Sequence, residues 1–253
     1  MIKFFRHIRK KLIGENRFSK YLIYAIGEIV LVVIGILIAL QINSWNKAFK
    51  NKNKEVYILK ELKKEFQNDS IKLQSFIQLV SFKTASGNRL KKAIIQKEQV
   101  PIDSLIYASF FNGRLVLFES NTPTYDELVS TGRLDLLKNE SLKKLINDFK
   151  NHLKIEKTFF SFEAQNRKEA YNQHLFKYFE PQIMGVLWER KKVEDWNTFL
   201  IDPQGYLNDP LTLFHVNVAI GVDRELTWKY SQRTIWRITS IIESITKELK
   251  LKQ

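Results

Sequence analysis

From Tyr21 to Leu40 the chain carries a single charge, Glu28, and Ile29 to Leu40 is an unbroken apolar run of 12 residues. A helix that crosses a bilayer needs about 20 mostly apolar residues. The 25 residues from Tyr21 to Trp45 would reach roughly 37 Å as a helix, close to the full membrane with its headgroups. Tyr21 and Tyr24 at one end and Trp45 at the other suit the two interfacial aromatic belts. After Asn46 the pattern changes: Val56, Leu59, Leu62, Phe66, Leu73, Phe76 and Val80 recur mostly at spacings of three, four or seven among Lys, Glu and Gln. That is the period of an amphipathic, coiled-coil-like helix, and the spanning helix is expected to run into it. The cluster Ala85-Ser86-Gly87-Asn88 predicts a break.

Five prolines, at 101, 123, 181, 203 and 210, then punctuate the chain. Between them the periodicity predicts helices near 103–111, 124–132, 139–179, 183–200 and 212–249. Asn139-Glu140-Ser141 reads as a capping start, followed by Leu142, Leu145, Ile146, Phe149 and Leu153 at helical spacing. The one short strand candidate is Leu115-Val116-Leu117-Phe118. The expected fold is therefore all-α: an N-terminal transmembrane helix at 21–45, then a bundle of four or five long antiparallel helices over 46–253. Few Gly and Pro, nine and five in 253 residues, agree with long helices rather than turn-rich sheets.

Residues 1–20 form a basic leader with seven Lys or Arg, including Lys10 and Lys11, against one acid, Glu15. Ile2, Phe5, Ile8 and Leu12 share one helical face, Gly14 would end the helix, and the opposite face would lie on anionic headgroups. The simpler reading is that these charges only set topology. Between Trp45 and Glu55 there are four Lys, so the positive-inside rule favours a cytoplasmic N-terminus and a periplasmic C-terminal region in an inner membrane. A cleaved signal peptide fits less well, because Ala39-Leu40-Gln41 and Ile42-Asn43-Ser44 make poor cleavage sites.

The formal net charge of +14 would suggest nucleic acid, but two-thirds of it flanks the apolar stretch and no basic motif is interleaved with aromatics. Nucleic acid is not expected as a partner. Zero Cys excludes disulfides and thiol chemistry. There is no HExxH, GxSxG, Walker loop or GxGxxG, so no catalytic residue, cofactor or metal is expected, and the protein is read as a non-enzyme. Tyr206, Asp209 and His215 gather near Pro203 and Pro210, where a lone His is more often structural than basic. His152 and His174 lie 22 residues apart on one helix, too far to share a metal. Trp188, Trp196, Trp228 and Trp236 are expected to fill the core.

Two constellations remain. Gly27, Gly35 and Ala39 form a small-residue stripe bordered by Glu28, which suits a homo-oligomer seam. An intramembrane carboxylate is a functional candidate unless the buried stretch begins near Ile26, which would put Glu28 at the interface. In Thr122-Pro123-Thr124-Tyr125-Asp126-Glu127, Thr124 is expected to cap a helix with Glu127 as its capping-box partner, and Gly132 to end it left-handed. Tyr125 and Arg133 there form either a packing corner with Leu128 or a ligand site.

The opening MIKFFRHIRKKL with FSKYLIYAIGEIVLVVIGILIALQINSWN resembles the start of DUF6090, an uncharacterised family of Bacteroidota membrane proteins. The stretch TPTYDELVSTGRLDLLKNESLKKLINDF is similar to that family's second block. The resemblance covers Met1–Asn46 and Thr122–Phe149, about a third of the chain. It implies a single-span protein with a helical region and no assigned activity, and it carries over no site residues. The expected role is an envelope scaffold or sensor that binds a ligand, an envelope protein or itself, anchored in a lipid bilayer. The alternative is a membrane-active effector that oligomerises through the spanning helix.

Overall fold

Ten positions alternate in spacings of three and four along the first helix: Leu59, Leu62, Phe66, Asp69, Leu73, Phe76, Val80, Lys83, Gly87 and Leu90. Every one is buried. Such a repeat keeps one seam of a helix facing its neighbours. It organises the helical bundle in the computed structural model, which describes residues 18–189 and 192–252. The chain divides into two units, Met1–Tyr57 and Ile58–Gln253. The basic leader expectation, with Lys10, Lys11 and the stop at Gly14, lies outside the described residues.

Helix α1 spans Phe18–Gln96, so the break expected at Ala85–Asn88 does not occur. Gly87 is in phase with the seam, and its lack of a side chain is used for packing. A Cβ there would come within 2.8 Å of Asn112 Oδ1 and 2.9 Å of Ile220 Cγ1. The helix stops instead at Gln96, where Lys97 turns left-handed at φ 54°.

The remaining helices are α2 (Ile102–Asn112), α3 (Pro123–Ser130), α4 (Glu140–Leu175), α5 (Ile183–Glu189), α6 (Pro203–Asn208), α7 (Pro210–Lys229) and α8 (Ile235–Lys252). A π-helical turn, Tyr230–Thr234, joins α7 to α8. It places Tyr230 edge-on to Phe76 and Phe118, with ring centroids 5.0 and 6.0 Å away. The expected helix at 183–200 ends early, and a short 3-10 turn, Trp196–Phe199, follows. Leu115–Phe118 forms no strand, so the strand candidate fails. Among the described residues strand pairing is limited to an isolated bridge between Phe179 and Leu200.

The all-α expectation holds. Among the described residues four helices are long, α1, α4, α7 and α8, within the four or five expected, and α7 continues into α8 through the π-helical turn. α7–α8 runs antiparallel to α4, with Asn139 bonded to Glu248, His152 near Thr234, and His174 bonded to Thr212. It is antiparallel to α1 too, through Phe76–Tyr230 and Lys83–Asp223. Two helices antiparallel to a third are parallel to each other, and Phe66 of α1 accordingly meets Phe149 of α4. One apolar cluster gathers Leu59, Phe66 and Leu73 with Phe149, Ile238 and Ile241. A second gathers Leu90 with Ile106, Leu175, Phe179, Tyr206 and Ile220.

Phe and Tyr rings fill these cores; of the four tryptophans expected there, Trp196 packs against the second cluster and the other three do not. Trp188, Trp228 and Trp236 are each more than half exposed, and Trp196 is half-buried. Their positions fall off the buried seams. Trp188 and Trp228 instead carry the guanidiniums of Arg114 and Arg233 over their faces, at 4.8 and 5.0 Å.

The α3 corner departs from expectation in a similar way. Thr122, not Thr124, occupies the N-cap, Pro123 opens the helix, and no side-chain cap bond forms within the segment. Glu65 of α1 does the capping: its Oε1 accepts from the Thr124 amide at 3.1 Å and from the Thr124 hydroxyl at 2.6 Å. One turn on, the fully buried Asp69 accepts from the Ser120 hydroxyl and the Asn121 amide. Glu65 thus takes the Thr124 amide that a local capping box would use, and Asp69 satisfies donors in the loop just ahead of α3. Gly132 does adopt the left-handed ending, at φ 65°, with the Arg133 amide donating to Leu128 O.

Candidate functional site

In the first unit, Ile29 to Leu40 are exposed along the whole apolar run, and one helix among the described residues is long and apolar enough to cross a membrane. Trp45, at the end of that stretch, is 65% exposed. The side chains of Tyr21 and Tyr24 lie outside the described residues. On the small-residue stripe, a Cβ added at Gly27 or Gly35 would meet nothing within 4 Å. Ala39 is exposed there and Glu28 is half-buried.

In the second unit Tyr125 is buried with Leu128 in the first core cluster, beneath the ammonium of Lys150, which lies 5.5 Å from the ring centroid. Its hydroxyl makes no hydrogen bond, and burial pushes its pKa up. Arg133 is exposed.

Helix pairing brings together residues that the sequence spacing kept apart. α4 and α7 run antiparallel, so His174, near the end of α4, meets Thr212 and His215 near the start of α7. His174 Nε2 lies 2.6 Å from Thr212 Oγ1, and the two imidazoles are 5.3 Å apart. Asp209 caps α7 by accepting from the Leu211 amide, and it also accepts from the Tyr178 hydroxyl at 2.7 Å. Its carboxylate is 3.8 Å from His174 Nδ1. Beneath this layer the Tyr171 hydroxyl donates to Ser109 O at 2.7 Å, with the Tyr206 hydroxyl 3.5 Å away.

Burial dominates the electrostatics of this layer. It lowers the pKa of His174 against the opposing pull of Asp209, and lowers that of His215 with help from Arg167. It pushes the Tyr206 phenol up to about 12. The Tyr178 hydrogen bond and the Leu211 amide hold Asp209 below the usual carboxylate range. The result is a stack of neutral imidazoles and phenols on one anchored carboxylate. Among the described residues no group of three or more His, Cys, Asp and Glu could hold a metal ion. Only the pairing of α4 with α7 brings His174 and His215 together, so their spacing in the sequence carried no signal for this cluster.

Between the end of α1, the turn before α2, and α2 itself lies a cleft of about 740 Å³ that also reaches Leu187 of α5. Leu90, Leu105, Ala108 and Phe110 form its buried floor. Arg89, Lys92, Arg114 and Glu98 line it as well. Pockets of this size and character are the usual form of a small-molecule site. None of these residues was singled out by motif, because they come from separate segments.

These features define an all-α protein with one helix able to cross a membrane and a folded helical unit bearing a cleft. The chain belongs to DUF6090, a family of unknown function, whose model matches residues 28–176. No curated protein and no solved structure matches the chain. The match holds all of the Thr122–Phe149 block and enters the opening block at Glu28. It includes His174, whereas Asp209 and His215 lie beyond it.

Proposed function

We propose that this protein is a single-span, membrane-anchored binding module, with its N-terminus in the cytoplasm and its C-terminal helical unit in the periplasm. The observation that supports this reading is the contrast between the two units. One exposes a continuous apolar run with no protein cover, while the other buries its apolar seams almost completely. An uncovered apolar helix of that length is stable only in hydrocarbon or against another apolar surface. The second unit offers a cleft and a buried polar layer, not an exposed acid–base pair. Recognition of a ligand or an envelope protein therefore fits it better than catalysis. The lipid bilayer is the first partner, and a second copy meeting along Gly27, Gly35 and Ala39 is a further one.

Alkaline carbonate extraction of membranes tests the anchor. The wild-type chain is expected to stay with the membrane pellet. Replacing Ile34 and Leu37 with Arg should release it, because each cation at the helix centre costs about 2.5–3.5 kcal/mol of insertion. Extraction of the wild-type chain by carbonate would contradict the reading.

A further inference from the structure

The cleft beside α2 combines two chemistries that a single simple ligand would not satisfy. Its floor is apolar and buried, with Leu90 1% and Leu105 3% exposed. Its margin holds three cations, Arg89, Lys92 and Arg114, against one carboxylate, Glu98. Neither Arg89 nor Lys92 forms an ion pair with a described residue. The Arg114 guanidinium lies over the exposed Trp188 ring, 4.8 Å from its centroid, and a guanidinium carries five N–H donors for an anion. The Ser86 and Ser104 side chains also line the cleft. A neutral apolar ligand would leave the cations without counter-charge, and a small soluble anion would leave the floor wet. A peptide strand would find no paired-strand edge among the elements that line it.

We propose that this cleft binds a single-chain amphiphile with an anionic head, its acyl chain on the Leu90–Leu105–Phe110 floor and its head against Arg89, Lys92 and Arg114. The inference rests on the binding-module reading, since a membrane-anchored protein works where such molecules are concentrated. The head is a carboxylate if the source is free fatty acid, and a phosphate if it is lipid-derived. Both present oxygens that Arg binds bidentately.

The test is calorimetric titration of the full chain in amphipol with myristate, tetradecyl phosphate, tetradecanol and butyrate. Saturable binding of one myristate or tetradecyl phosphate per chain is expected, with tetradecanol and butyrate each weaker by about tenfold or more. Tighter myristate binding assigns the fatty-acid source and tighter tetradecyl phosphate the lipid-derived one; both support the site. The pair Arg89→Glu and Arg114→Glu should weaken the anionic ligands by about tenfold or more while lowering the melting temperature only slightly, since both side chains are exposed and only the Arg114 contact with Trp188 is lost. Ser104→Trp, also at an exposed position, should block the cleft and weaken all long-chain ligands together. Absence of saturable binding, equal affinity for tetradecanol, or indifference to both sets of substitutions overturns the proposal. A chain that survives carbonate extraction but binds none of these ligands keeps its anchor and loses the cleft assignment. A chain that binds myristate but is extracted by carbonate does the reverse.

Discussion

Asp223→Ala is expected to destabilise the helical unit by about 3–5 kcal/mol, the cost of removing one partner from a buried ion pair. Lys83 donates to Asp223 at 2.8 Å, with side chains 4% and 2% exposed. Burial drives both groups toward neutrality, lowering the Lys83 pKa and raising that of Asp223, while their mutual attraction opposes it. Alanine would leave the buried ammonium without its partner carboxylate. Asp223→Asn keeps an acceptor for Lys83 and should lose less. Replacing both partners with apolar residues, Lys83→Met with Asp223→Leu, should recover most of the loss, because the desolvation cost disappears with the charges. Urea unfolding in amphipol of the wild type, Lys83→Met, Asp223→Leu and the double variant closes a double-mutant cycle that reads the coupling directly. A loss below about 1 kcal/mol for Asp223→Ala would mean the pair is not buried as described.

The second large effect is a loss of stability on acidification. His152, His174 and His215 all have pKa values below the ordinary imidazole value, in each case chiefly because of burial. The unfolded chain, with imidazoles near 6.5, therefore binds protons before the folded one does. Their stabilisation is fully present above about pH 6.5 and is lost as pH falls through the depressed folded values. Each withheld proton steepens the fall by up to about 1.4 kcal/mol per pH unit. Thermal unfolding between pH 7.5 and 5 should show a falling midpoint, and His174→Gln should flatten the slope. At lower pH, protonation of Asp209, held down by Tyr178 and Leu211, removes a further contribution. A midpoint flat across pH 7.5 to 5 would show that these imidazoles are hydrated in the folded state.

Most of the fold was legible because hydrophobic period reports helix faces. The apolar run, the α4 start at Asn139 and the left-handed Gly132 all follow from local rules, and Asn139 does accept from the Leu142 amide at 3.0 Å. The departures have separate physical origins. Asp69, Lys83 and Gly87 sit in phase with Leu62, Leu73, Val80 and Leu90, but they are polar or small, so a search for apolar residues passes over them. Reading the three–four spacing through them would have carried α1 to Gln96. Glu65 replaced the expected Thr124–Glu127 capping box because a carboxylate 59 residues upstream reaches the same donors, which no local motif can express. Trp188, Trp228 and Trp236 misled because their size suggests burial, whereas their positions fall outside the seams. The His174–His215 layer and the cleft depend on tertiary pairing, and neither has a signature in spacing alone.

In the proposed topology the chain crosses a bilayer once, with its helical unit on the outer side. The absence of Cys makes that directly measurable, because a single introduced thiol is the one site for a membrane-impermeant maleimide. Lys250→Cys, at an exposed position near the end of α8, should label in intact spheroplasts. Lys3→Cys in the basic leader should label only after lysis. The reverse pattern would place the helical unit in the cytoplasm, and labelling of both thiols on the same side would contradict a single crossing.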